Sequence, residues 1–154
     1  EMQQIIERSS TILGTSMESL AASRIASASR STPRIGNRLL RAVRDFSAVR
    51  KEEVISLACV EKTLSSLDID DEGLDATDRL LLSTIVENFG GGPVGLSTLA
   101  AILAEEEETL EDVYEPFLMQ QGYLQRTPKG RMATKKAFDR LNKQMPQHMQ
   151  MGML

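Results

Sequence analysis

One cysteine, Cys59, and one histidine, His148, are all that 154 residues contain of either type. A single cysteine forbids an internal disulfide and fits a reducing compartment. A single histidine near the end argues against a histidine-based triad or a zinc site, and a lone cysteine in an apolar helix reads as core rather than nucleophile. Aromatic residues make up only 4%, so a core drawn from the 41% hydrophobic content is mostly Leu, Ile, Val and Ala. No apolar run approaches the ~20 residues that span a bilayer. No basic segment followed by an apolar one opens the chain, which starts at Glu1 in sequence already helical in pattern. These absences predict a soluble, cytoplasmic, membrane-free protein whose start is a cut within a longer chain.

Charge is present but segregated. The net charge of -4 divides into +3 over residues 1–64, -13 over residues 65–121 and +6 over residues 122–154. A polyanion is therefore expected at the two ends and excluded from the middle.

The first segment reads as four helices, about 1–13, 17–30, a third with Thr32 as cap and Pro33 in its first turn, and about 53–67. Along the third, Ile35, Leu39, Val43, Phe46 and Val49 share one face. No strand pattern competes. The acidic stretch DIDDEGLD, residues 68–75, is the expected boundary between a domain over 1–67 and one over 76–142. The second domain starts with a helix to about Phe89 capped by Asp75, with Leu82, Ile85 and Val86 inward. GGGPVG turns the chain, and Ser97 caps a short helix carrying Leu99, Ile102 and Leu103. A third helix points Leu110, Val113, Phe117 and Leu118 inward, with a kink or break expected near Asp112 to Pro116 because proline removes a backbone bond. Residues 123–126 and 131–134 then flank Thr127-Pro128-Lys129-Gly130, a turn signal between two short strands. Three helices and a hairpin make a winged helix. A short helix from Lys135 to about Asn142 follows, and the uncharged, aperiodic tail 143–154 reads as disordered.

Arg126, Lys129 and Arg131 bracket the tight turn, an arrangement that meets phosphates without reading bases, against the plainer alternative of a solvated turn. Lys135, Lys136 and Arg140 extend the same basic end. The third helix presents Glu108, Glu111, Asp112 and Glu115 outward, so phosphates repel it from the major groove and binding by the wing is expected to be independent of sequence. Arg34 is the second candidate. A cation in the first turn of a helix opposes the partial positive charge of the free amides, and an anion held by those amides and Arg34 resolves the conflict. A solvated arginine is the alternative, and Arg38 and Arg41 continue the stripe. Two tempting motifs fail. Asp68, Asp70, Glu72 and Gly73 mimic a calcium loop whose twelfth position is Arg79 instead of glutamate, and GGGPVG has neither the spacing nor the lysine of a phosphate loop.

Three blocks, STPRIGNRLLRAVRDF, GLDATDRLLLSTIVENFGGGPVGLSTLAAILAEEEETLEDVYEPFL and GYLQRTPKGRMAT, closely resemble the RuvB family of AAA+ motors for Holliday-junction branch migration, over residues 1 to about 142. The resemblance implies a mainly α protein, an AAA+ helical lid followed by a winged-helix domain with a short β-hairpin wing. It implies a parent that hydrolyses ATP with magnesium, works as a homo-hexamer on Holliday junctions or duplex arms with RuvA and RuvC, and serves recombination, repair and the SOS response in the bacterial cytoplasm. The family's phosphate loop and arginine finger belong to a domain whose motifs do not occur here, so no catalytic residue, metal ligand or tightly bound cofactor is expected in this piece, nor ATP hydrolysis by it alone. By position, Arg34 matches the family's second-sensor arginine, Pro33 lies beside the adenine pocket, and Arg126, Lys129 and Arg131 fall in its DNA-contacting wing. A different class of reading, a stand-alone winged-helix adaptor binding a protein through its acidic middle, also accommodates the charge pattern.

Overall fold

A computed structural model describes residues 1–151 of the chain. It forms two compact units, Glu1–Asp75 and a second from Ala76 onward. Both are mainly helical.

In the first unit α1 (Met2–Ile12), α2 (Ser19–Ala28), α3 (Pro33–Val49) and α4 (Leu57–Ser66) enclose a core of Ile6, Ala21, Ala22, Ile25, Leu39, Leu40, Val43, Val60 and Leu64. Each buried Leu, Ile or Val stabilises by roughly 1.5–3 kcal/mol relative to exposure. The alanines of α2 bring it close to α1 and α4 without large side chains intervening. Val49, expected inward, ends α3 and is exposed. Two strands that periodicity did not announce, β1 (Ser16–Met17) and β2 (Val54–Ile55), pair in parallel, Ser16 opposite Val54. At two residues each they are too short to show an alternation. β2 takes residues expected in the fourth helix, so α4 begins later, with the Ser56 hydroxyl accepting from the Cys59 amide at 3.2 Å. Cys59 is buried there, and burial, aided by the nearby Glu52 charge, pushes its thiol above the ordinary value.

The acidic stretch expected as a linker is held to this first unit. Arg24 donates to the Asp70 carbonyl at 3.0 Å, and Arg30 pairs with Asp75 at 3.1 Å.

The second unit opens with α5 (Ala76–Ser83), which widens into a π turn at Thr84–Asn88, and continues with α6 (Leu96–Leu103). Gly95, not Ser97, takes the position before α6, and no side chain caps it. The third helix is composite: α7 (Glu107–Thr109), a π turn at Leu110–Tyr114, and α8 (Glu115–Gln120). The hairpin follows as β3 (Leu124–Thr127) and β4 (Gly130–Ala133), antiparallel, then α9 (Lys135–Arg140). Leu81, Leu82, Ile85, Leu99, Leu110, Phe117, Leu118, Tyr123 and Phe138 are buried, while Phe89, Ile102 and Val113 are exposed.

The irregularity expected near Pro116 is therefore a widened turn. Pro116 cannot donate to the Asp112 carbonyl, and a π turn holds more residues per turn than the 3.6 of an α-helix. The slip in phase has a consequence for the site. On an unbroken α-helix Glu115 would stand about 140° from Leu110, on the outside; after the π turn it faces inward and is 1% exposed, while Val113 turns out.

The tail also departs from expectation. Residues Gln147–Met151 form α10, and Met145 and Met149 are buried. Four methionines in nine residues, among uncharged neighbours, supply apolar surface without a periodic signature. The rest of the tail, residues 152–154, lies outside the described residues.

Candidate functional site

The wing is fastened at both strands. The loop after the first π turn lies along β4, where Val94 and Arg131 exchange backbone hydrogen bonds at 2.9 and 2.7 Å and the Ala133 amide donates to the Gly91 carbonyl at 2.9 Å. A side chain at Gly92 would clash with the Arg131 carbonyl, and one at Gly130 would meet the Val94 carbonyl at 2.5 Å, so glycine at both positions lets backbone touch backbone. GGGPVG is thus the third member of the wing as well as a turn.

Within the hairpin Arg126 stands directly opposite Arg131, and two like charges so placed repel. The Glu115 carboxylate sits between them. Its Oε2 accepts from Arg126 Nη2 at 2.6 Å and from Arg131 Nη2 at 3.2 Å, while Oε1 accepts from Arg131 Nε. Glu111 adds a looser contact, 3.7 Å from Arg126 Nη2. The hydrogen bond and charge of Glu115 push the Arg126 guanidinium above its already high ordinary value, so it stays a cation. Arg131 is drawn in to 14% exposure, whereas Arg126 keeps 45%.

Lys129 differs from both. It is exposed at the turn, where Thr127 Oγ1 donates to the Gly130 carbonyl at 2.8 Å, and it has no ion pair among the described residues. The structure therefore brings the three sequence-selected cations together but divides their roles. At 3.6 residues per turn Glu115 belongs to the outward acidic face with Glu108, Glu111 and Asp112. The other three are exposed as expected; Glu115 is buried because of the π turn. The sequence signal for this departure is Pro116, which has no amide to donate. Along the extended basic end, Lys135 pairs with Asp139 at 3.1 Å, and Lys136 donates to the Gln121 carbonyl at 2.7 Å with its ammonium 4.4 Å from the Tyr123 ring centre.

In the first unit Pro33 and Arg34 are exposed at the first turn of α3. Thr32 occupies the cap position but does not cap: its hydroxyl donates to the Arg30 carbonyl at 3.1 Å. The preceding Arg30 and Ser31 have φ of 55° and 54°, left-handed values that cost side-chain-bearing residues energy. The early amides of α3 are consequently left without a side-chain cap, beside an arginine. Arg34, Arg38 and Arg41 are exposed and have no ion pair among the described residues. Among those residues no group of acids, histidines and cysteine could hold a metal ion, and no helix is long and apolar enough to cross a membrane.

Comparison with known proteins matches residues 1–70 to the RuvB AAA lid domain and residues 71–142 to the RuvB C-terminal winged helix domain. The chain belongs to the RuvB family. It is 51% identical over 138 residues to the Holliday junction branch migration complex subunit RuvB of Lactobacillus gasseri, covering 90% of this chain and 41% of that protein. Against the subunit of Myxococcus xanthus it is 52% identical over 145 residues, covering 94% of this chain and 42% of the relative. The solved Thermotoga maritima RuvB Holliday junction branch migration motor superposes with a TM-score of 0.88 at 49% identity, covering 95% of this chain and 49% of that one. The chain thus spans less than half the length of the relatives it matches, and what it matches is their lid and winged helix.

Proposed function

We propose that this chain is the nucleotide-sensing lid and DNA-gripping winged helix of an ATP-dependent motor that drives Holliday-junction branch migration in bacterial recombination and repair. The observation that carries this reading is the wing itself: an exposed Lys129 with no ion pair among the described residues, beside a half-exposed Arg126, on a domain whose third helix presents Glu108, Glu111 and Asp112. Cations at the tip favour phosphate, and carboxylates on the helix oppose entry into the major groove. A grip of that kind holds any sequence, as a motor moving along DNA requires. Lys129 and the solvent-facing edge of Arg126 take the phosphates, and Arg131 holds the wing to α8. In the lid, Arg34 and the uncapped turn of α3 face the phosphates of ATP or ADP with magnesium, with Pro33 beside the base. The parent supplies the hydrolytic domain, assembles as a hexamer in the cytoplasm, and acts with RuvA and RuvC.

Fluorescence anisotropy with labelled duplex and four-way-junction DNA tests the wing. Binding should be weak, salt-sensitive and equal across sequences, with Lys129→Ala weakening all sequences alike and reducing the salt slope by about one. Equal binding by a variant with alanine at 126, 129 and 131 would remove the wing from the function. Absence of a phosphate-loop motif in the parent's coding sequence would remove the motor.

A further inference from the structure

Of the two carboxylates at Arg126, one is buried and one is not. Glu115 is 1% exposed and shared with Arg131, so displacing it would leave Arg131 unpaired in a largely buried place. Glu111 is 48% exposed and 3.7 Å from the same Nη2, the geometry of a weak, salt-screened surface pair. Glu111 is thus the exposed carboxylate of the two, the one whose place at Arg126 an anion from solvent can take.

We propose that Glu115 and Glu111 are positioning residues for the DNA grip, Glu115 anchoring the Arg126 guanidinium and Glu111 standing in for phosphate until DNA displaces it. This rests on the wing contacting DNA backbone. Glu115 keeps the wing against α8 and aims the half-exposed edge of Arg126 outward. Glu111 lowers the affinity of each contact, because its own pairing is surrendered when phosphate binds, and recaptures the arginine on release. A grip built this way forms and lets go readily, as repeated stepping along a duplex demands.

The test is a set of variants in this chain, read by anisotropy with a labelled duplex over a range of salt. Glu111→Gln should tighten binding about threefold and steepen the salt slope by up to about one, since phosphate then meets Arg126 without Glu111 competing for it. Glu108→Gln removes the same charge from the same helix without touching Arg126 and should do appreciably less. The gain from Glu111→Gln should vanish in the presence of Arg126→Ala, because the coupling runs through that side chain. Glu115→Gln should weaken binding although it also removes a negative charge, a sign opposite to that of a simple field effect. If Glu115→Gln fails to fold, the Glu111 and Arg126 cycle decides alone. Equal gains from Glu108→Gln and Glu111→Gln, or a gain that survives Arg126→Ala, would overturn the proposal. Should Lys129→Ala bind as tightly as the unaltered chain, the wing reading itself falls; should it weaken binding while the two glutamate variants behave alike, only this inference falls.

Discussion

Two arginine clusters that look alike as sequence are opposite in structure. Along α3, Arg34, Arg38 and Arg41 point to solvent with no ion pair among the described residues, beside a turn whose amides no side chain caps. On the wing, Arg126 and Arg131 are joined to one buried carboxylate. The first arrangement leaves charge waiting for an external anion. The second consumes most of it in holding a hairpin of four-residue strands to a helix, and leaves Lys129 and one edge of Arg126 for a partner. A count of cations therefore overstates the charge the wing leaves open to an external anion and describes that of α3 more faithfully.

The widest separation between the clusters should appear on removing the shared carboxylate. Glu115→Ala strands Arg131 and is expected to destabilise the second unit by about 2–4 kcal/mol, read from the urea midpoint. No single alanine at Arg34, Arg38 or Arg41 should cost more than about 0.5 kcal/mol by the same measurement. A comparable loss at Arg34 would erase the distinction. In the full-length parent, Arg34→Ala should lower ATP turnover roughly tenfold, the loss of a charge-assisted hydrogen bond, with the circular dichroism of the lid unchanged. Unaltered turnover would make Arg34 a surface residue.

Within the wing, Arg131→Ala should cost about 1–3 kcal/mol of stability, while Lys129→Ala should stay within about 0.5 kcal/mol and act on DNA binding alone. The reverse pattern would exchange their roles. The smallest effect concerns neither cluster. With its thiol raised by burial, native Cys59 should react with iodoacetamide at pH 8 only as fast as the first unit opens, and rapidly in urea. Fast labelling of the folded chain would contradict its place in the core.

Much of this was legible in local sequence. Ile35, Leu39 and Val43 mark the inner face of α3 at helical spacing, and the TPKG turn between short runs marks the hairpin, because both signals span only a few residues. The paired strands β1 and β2 were not legible, since two residues carry no period. Nor was α10, where Met145 and Met149 bury themselves against the wing without a repeating pattern; Gly92, Pro93, Gln125 and Met132 line a cavity of ≈ 380 Å³ with them.

Taken alone, the sequence determined the helices other than α10, the hairpin, the placement of the basic residues and the segregation of charge, all consequences of spacing and turn chemistry between near neighbours. Only the tertiary structure decided which cations remain available. That choice depends on Glu115, whose side of the helix is set by a π turn ahead of Pro116 and whose partners lie 11 and 16 residues further on. A phase slip of part of one turn is invisible to a pattern read at 3.6 residues per turn, yet it moves a carboxylate from solvent to the centre of the wing.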